Sequence, residues 1–247
     1  MTPVQEPAMN DPHDEQPRSP KLGGFVPFSS CDYPGHLVCV VFTAGCPWRC
    51  RYCHNPHLQK RERQPGLPSW DEILAWLPMR KGLLDGVVFC GGEPLAEPLM
   101  PRMIAQVKAL GFKVGLHTGG AYPDRLHACL PYLDWVGFDV KHQFDHYPGV
   151  TLIRNSGDPA RRSLAMLATS GVPFECRTTT HPQLHSAEQL RQLADQLAAS
   201  GVRDFALQLF RGDGCLDDEL LRLPALPPDA ETLAHLEARF EHFTVRG

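Results

Sequence analysis

No apolar run reaches the roughly 18 residues that a membrane-spanning helix needs. There is no dense run of lysine or arginine either. Its 24 basic and 28 acidic residues give a formal charge of −4, which argues against a nucleic-acid or anionic-membrane partner. The first residues hold no apolar signal core, so a cytoplasmic location is expected. An even, spread set of cysteines is also missing. The nine are Cys31, Cys39, Cys46, Cys50, Cys53, Cys90, Cys129, Cys176 and Cys215, an odd count with one tight cluster. That pattern excludes a secreted disulfide framework and fits a metal site in a reducing compartment. No Ser/His/Asp or paired-carboxylate signature of acid–base or nucleophilic catalysis is visible.

What is present suffices for one domain. The 247 residues are 43% hydrophobic, enough to bury a single sizeable core. Residues 1–21 are polar and rich in proline and acid, and are expected to form a disordered tail; residues 22–247 form the domain. Short apolar strands are expected at 37–42 (LVCVVF), 86–89 (GVVF), 113–116, 135–140, 174–178 and 205–209. Helices are expected between them. One begins at Ser69, one runs from Met100 to Leu110 with Pro101 in its first turn, and a short one spans 123–130. Another is opened by Asp158 and Pro159, one carries a Ser186/Gln189 capping box, and the last covers about 229–242. Six strands alternating with helices predict an α/β fold with a parallel sheet and right-handed crossovers. A closed barrel needs two more units, so the expectation is an open, partial (β/α)6 barrel.

The chemistry concentrates just after the first of these strands. Cys46-Pro-Trp-Arg-Cys50-Arg-Tyr-Cys53 has the spacing CxxxCxxC. Three thiolates within eight residues can hold three corners of a cubane, whereas a complete 4Fe–4S cluster takes four cysteines, so one iron stays open to a small chelating molecule. Zinc is the competing reading; it favours a second CxxC pair, and none exists here. Further along, Gly91-Gly92-Glu93-Pro94 ends a strand, where side-chain-free backbone allows close approach to a ligand. Asp139 and Lys141, two residues apart at another strand mouth, point to one side; as a surface ion pair they would contribute little.

This arrangement resembles the radical S-adenosylmethionine (SAM) superfamily across about residues 23–211. The resemblance implies one 4Fe–4S cluster on Cys46, Cys50 and Cys53, its open iron bound by the amino and carboxylate groups of SAM. It also implies reductive cleavage to methionine and a 5′-deoxyadenosyl radical, chemistry that belongs to the cofactor. In the family's pattern Gly91, Gly92 and Glu93 hold the SAM amino group, Tyr52 sits beside the adenine, His54 follows the cluster loop, and Asp139 and Lys141 contact SAM. Arg177 and Gln208, on later strands, are candidates to face the same ligand. Thr118 lies in His117-Thr-Gly-Gly, where pyruvate formate-lyase activases carry Asp-Thr-Asn-Gly with the aspartate near a monovalent cation. His117 replaces that aspartate, which puts the cation site in doubt.

Two longer stretches narrow the resemblance. The segment before the first strand, Gly24-Phe-Val-Pro-Phe-Ser-Ser-Cys-Asp-Tyr-Pro-Gly35, and Gly45-Cys-Pro-Trp-Arg-Cys-Arg-Tyr-Cys-His-Asn-Pro56 resemble glycyl-radical activases, particularly the anaerobic ribonucleoside-triphosphate reductase activating proteins. The implied partners are such a reductase, with Asp32 near its glycine loop, and an electron donor such as flavodoxin. No CxxC lies between Cys53 and Gly91, so a single cluster is expected. Alternatives remain open at this point: a radical SAM enzyme for a small molecule or peptide, or a non-catalytic iron–sulfur or zinc scaffold.

Overall fold

A computed structural model describes residues 19–247. It contains one eight-stranded sheet in sequential order, β1-β2-β3-β4-β5-β6-β7-β8. The strands are β1 (Leu22–Ser29), β2 (Val38–Thr43), β3 (Gly86–Gly91), β4 (Lys113–Thr118), β5 (Trp135–Asp139), β6 (Phe174–Thr180), β7 (Asp204–Leu209) and β8 (His242–Arg246). β1 pairs antiparallel with β2, and every later pair is parallel. The helices are α1 (Trp70–Trp76), α2 (Met100–Ala109), α3 (Pro123–Cys129), α4 (Tyr147–Thr151), α5 (Gly157–Ala168), α6 (Ala187–Ala199), α7 (Asp218–Leu221) and α8 (Ala230–Glu237). The expected alternation therefore holds for β2 through β7, and the sheet stays open between β1 and β8.

The sequence marks several of these boundaries physically. Ser69 and Ser186 each accept from the backbone N–H three residues on, and Glu72 and Gln189 reach back to them, so α1 and α6 start on complete capping boxes. Pro101 occupies the first turn of α2, where its missing N–H costs nothing. α5 begins slightly earlier than expected, at Gly157, with Ser156 before it.

Three features depart from the expectation. β1 runs through Gly23, Gly24 and Pro27, residues that weaken a strand signal, and its register with β2 breaks twice. The last helix stops at Glu237 rather than His242, and the chain then adds β8. Phe240, inside the expected helix, and Phe243, just past it, instead turn onto Phe205 of β7, at 4.8 and 6.0 Å between ring centroids. The expected tail lies outside the described residues as far as residue 18. Its inner end, Lys21, is already part of the fold: its N–H donates to Glu97 Oε2 at 3.1 Å, and its carbonyl accepts from Ala44 N–H at 2.8 Å.

Two apolar layers position the site. Outside the sheet, Val87, Phe89, Val114 and Leu116 are buried in one cluster with Ile104 and Val107 of α2. Each such side chain contributes about 1.5–3 kcal/mol on burial. Inside the barrel, Val38, Val40, Val88 and Trp135 close the lower end around Tyr33, whose ring stacks on Trp135 at 5.2 Å. The loop after β1 thus enters the barrel from below, and polar residues fill the space above it.

Candidate functional site

The cysteine loop follows β2 and is held from two sides. Arg49 and Arg51 N–H donate to the carbonyls of Thr151 and Val150 on α4, both at 2.9 Å. Tyr147, at the start of that helix, accepts from the Lys141 N–H through its hydroxyl at 3.1 Å and meets Trp48 edge-on at 5.9 Å. α4 therefore ties the cluster loop to the end of β5. On the other side, the Arg51 side chain pairs with Asp217 at 2.6 Å and Glu219 at 2.7 Å. His54 Nε2 bonds the Arg211 carbonyl at 2.9 Å. A Cβ on Gly214 would lie 2.2 Å from the His54 oxygen, so only glycine lets the segment after β7 close over the loop.

Cys46, Cys50 and Cys53 are free thiols on one wall of a cavity of about 740 Å³. Burial pushes Cys46 up to about 12, with Glu93 adding to the effect, and pushes Cys50 up to about 11. Iron must therefore displace their protons, and binding is coupled to proton release. Among the described residues no three His, Cys, Asp or Glu side chains gather around a point that would hold a single ion. A single zinc ion needs such convergence; a cubane does not, because each thiolate binds its own iron. The donor set fits the cluster.

The strand ends supply the opposite walls. The GGEP turn packs on the start of the cysteine loop, with Gly92 N–H donating to Thr43 O at 3.1 Å and Glu93 N–H to Gly45 O at 2.9 Å. Gly91 has φ 137°, and a Cβ there would sit 2.2 Å from Thr43 O; on Gly92 it would sit 2.6 Å from Leu58 O. These glycines line the cavity, but the close approach that requires them is to the protein's own backbone. Glu93 is equally engaged. Thr118 Oγ1 donates to its Oε1 at 2.6 Å, Leu95 N–H to the same oxygen at 3.0 Å, and Gly119 N–H to Oε2 at 2.9 Å. Thr118 and Glu93 therefore lock β4 to β3 while bordering the cavity.

Asp139 carries the strongest electrostatic coupling. Arg177 Nε donates to its Oδ1 at 2.9 Å, and Lys141 Nζ to its Oδ2 at 3.2 Å. Burial alone would raise the Asp139 carboxyl, yet Arg177 and Lys141 outweigh it and hold it well below the usual range. The two cations and one carboxylate leave a net positive charge at the cavity wall. Lys141 Nζ also sits 5.7 Å over the Tyr52 ring. Tyr52 borders the cavity, while its hydroxyl is buried away from it without a hydrogen-bond partner.

His117 and Asp32 meet at the floor. Nε2 of His117 lies 2.7 Å from the Asp32 carbonyl, which can only accept, so this nitrogen carries the hydrogen. Burial, reinforced by Arg177, lowers His117 to about 4, and the ring is neutral. The neutral imidazole anchors the loop after β1 through the Asp32 carbonyl.

Every sequence-expected residue lines this one cavity: the three cysteines, Asp32, Tyr52, His54, Gly91, Gly92, Glu93, Thr118, Asp139, Lys141, Arg177 and Gln208. The cavity also contains Cys31, Cys90, Thr179, Arg211 and Arg246, which the motif reading did not place there. Thr179 follows Arg177 at the two-residue spacing of a strand face and was within reach of that rule. Arg246 had no such signal, because β8 itself was not legible.

The sheet, parallel from β2 to β8 and open, carries the three cysteines in the loop at the carboxyl end of β2, the arrangement of a cofactor site on a partial (β/α) barrel. The family model described as the radical SAM superfamily matches residues 40–181, more than half of the chain, and the chain belongs to that superfamily. Its members use a 4Fe–4S cluster and SAM. A Methanocaldococcus jannaschii protein provisionally named a glycyl-radical enzyme activating enzyme is 28% identical over 217 residues, 85% of this chain and 88% of that protein. The Staphylococcus aureus pyruvate formate-lyase-activating enzyme is 32% identical over 123 residues, 45% of this chain and 49% of that one. Among solved structures, Streptococcus suis SuiB bound to precursor peptide SuiA superposes with a TM-score of 0.62 at 16% identity, covering 85% of this chain and 48% of SuiB. Escherichia coli QueE superposes with a TM-score of 0.52 at 18% identity over 86% of each chain. The chain thus spans about half the length of SuiB and matches about half of the Staphylococcus enzyme; the two structural likenesses speak for the fold.

Proposed function

We propose that this protein is a glycyl-radical activase whose substrate is a glycine Cα–H of a partner enzyme, with an anaerobic ribonucleoside-triphosphate reductase as that partner. The observation that carries the reading is the single cavity that joins three free thiols to the polar ends of β3, β4, β5 and β6. The near full-length similarity to the Methanocaldococcus protein supports the activase branch. The Gly24–Gly35 stretch, with Asp32 at the cavity floor, supports the choice of partner.

The chain's own residues have separable tasks. Cys46, Cys50 and Cys53 would hold three irons of a 4Fe–4S cluster, so that one iron would be free to take the methionine end of SAM. When bound, the cluster would supply the electron that cleaves SAM reductively, and the hydrogen atom would come from the glycine Cα. Lys141 and Arg177, only half neutralised by Asp139, offer positive charge to the SAM carboxylate and ribose face. Tyr52 offers its ring to the adenine. Glu93 and Thr118 fix the β3–β4 edge of the pocket. The volume of about 740 Å³ falls in the usual range for a small-molecule site and accommodates a nucleoside-sized ligand. Hydrogen-atom transfer moves no net charge, which agrees with a neutral His117 and with the lack of a general acid or base. An acidic one-electron donor such as flavodoxin, in a reducing cytoplasm, completes the scheme.

The test is anaerobic. The iron-loaded protein, SAM and a one-electron reductant are incubated with the reductase, and 5′-deoxyadenosine and the glycyl radical signal are measured. The reading expects both, in comparable amounts. 5′-Deoxyadenosine without a glycyl signal on any glycyl radical enzyme would favour a small-molecule or peptide substrate.

A further inference from the structure

We propose that the outer edge of β8 docks an extended segment of the substrate polypeptide, which adds to the sheet as a further strand and passes beside the cavity. The proposal rests on the reading above that the substrate is a polypeptide.

The register decides which backbone groups are on offer. His242 N–H donates to Arg203 O at 3.1 Å, and β8 pairs in parallel from Asp204↔His242 to Gln208↔Arg246. In a parallel ladder a residue turns both its N–H and C=O to the same neighbour, and the next residue turns both away. His242, Thr244 and Arg246 therefore face β7, while Phe243 and Val245 present their N–H and C=O outward. β8 ends the sheet order, with no strand beyond it among the described residues, and Val245 is 42% exposed.

The two edges of the sheet are unlike. β1 carries Pro27, which has no N–H, and two register breaks, devices that blunt an edge against pairing. β8 has no proline, and its register is continuous over all five pairs. Donor and acceptor pairs spaced two residues apart complement an extended peptide backbone, the chemistry of strand addition. The edge also continues into the site. Arg246 and Gly247 line the cavity that holds the three cysteines, and Arg246 is fixed there by two bonds to Glu175, at 2.8 and 2.6 Å. A strand laid on this edge turns alternate side chains toward the barrel interior. A glycine at such a position presents its Cα hydrogens with no side chain in the way.

Val245→Pro tests this. It removes an outward N–H and leaves those of Thr244 and Arg246 on β7. With the iron-loaded protein and a small-molecule reductant, the variant should cleave SAM as fast as wild type. Its glycyl radical yield on the intact anaerobic reductase should fall about tenfold, the worth of one such hydrogen bond. Val245→Ala keeps the N–H and should keep the yield. In single-residue amide exchange on the wild type, a synthetic peptide spanning the reductase's radical-bearing glycine should protect the Phe243 and Val245 amides and leave Thr244 and Arg246 unchanged. An unchanged radical yield in Val245→Pro would overturn the proposal. So would Phe243 and Val245 amides that are already slow to exchange without peptide, the edge then being covered by residues 1–18 or by a second copy. Failure of the functional reading looks different: the wild type itself would leave the reductase without a glycyl radical.

Discussion

The Tyr147 hydroxyl accepts a hydrogen bond from the Lys141 N–H at 3.1 Å, although the two residues serve different parts of the site. Lys141 belongs to the ion-paired wall, and Tyr147 begins the helix whose last carbonyls hold Arg49 and Arg51 of the cluster loop. Tyr147 is fully buried, so removing its hydroxyl leaves the Lys141 N–H without a partner. We expect Tyr147→Phe to lose about 1–3 kcal/mol of stability in denaturant titration. The electron paramagnetic resonance change that SAM induces in the reduced cluster should also weaken. A purely structural role would lower stability and leave that spectral change intact.

Asp139 pairs with two cations at once, Arg177 and Lys141. Asp139→Asn would leave both with no counter-charge at that point. Because the pair is partly open to the cavity, we expect a loss of about 3 kcal/mol, at the low end for a broken buried pair. Urea unfolding of the iron-free protein measures this without reference to activity.

The stacked rings of His142 and His185, 4.7 Å apart, predict acid sensitivity. Burial lowers each to about 4, and each ring lowers the other or is lowered by a neighbouring histidine. Both are neutral when folded, while in the unfolded chain they take up protons below about pH 6.5. Their contribution is therefore complete above about 6.5, declines as pH falls toward 4, and flattens below that. Unfolding midpoints between pH 7.5 and 4.5 should show this slope, and His185→Gln should reduce it.

Gly91→Ala should be more damaging than its size suggests. It combines φ 137° with a Cβ 2.2 Å from Thr43 O, in a turn that also positions Glu93. We expect a loss of at least about 2 kcal/mol, by strain and forced backbone movement, and reduced iron incorporation on reconstitution. Circular dichroism melts and iron analysis report the two effects separately.

The sequence was most informative where local chemistry and long-range geometry agree. CxxxCxxC, GGEP and DxK each sit at the carboxyl end of a parallel strand, where periodicity put them; that Cys50, Glu93 and Asp139 share one cavity is what the resemblance to radical SAM enzymes implied. Strand β1 was hidden by Gly23, Gly24 and Pro27, whose local preferences oppose the pairing that tertiary contacts impose. β8 was hidden for the opposite reason: with no glycine or proline between Glu237 and Arg246, Phe240 prolonged a helical pattern as far as His242. Gly91 and Gly92 line the cavity, but the close approach read there for a ligand is made by the protein's own backbone at Thr43 and Leu58. Contacts such as His54 to Arg211 or Arg51 to Asp217 join residues more than 150 positions apart, and no local pattern encodes them.

The most direct measurement loads the wild type and Cys50→Ala anaerobically with iron and sulfide, then adds reductant and SAM. Wild type should bind about four irons per chain and release methionine and 5′-deoxyadenosine, and Cys50→Ala should release neither. A stoichiometric zinc ion in the wild type, or undiminished 5′-deoxyadenosine from Cys50→Ala, would contradict a three-thiolate cluster with an open iron.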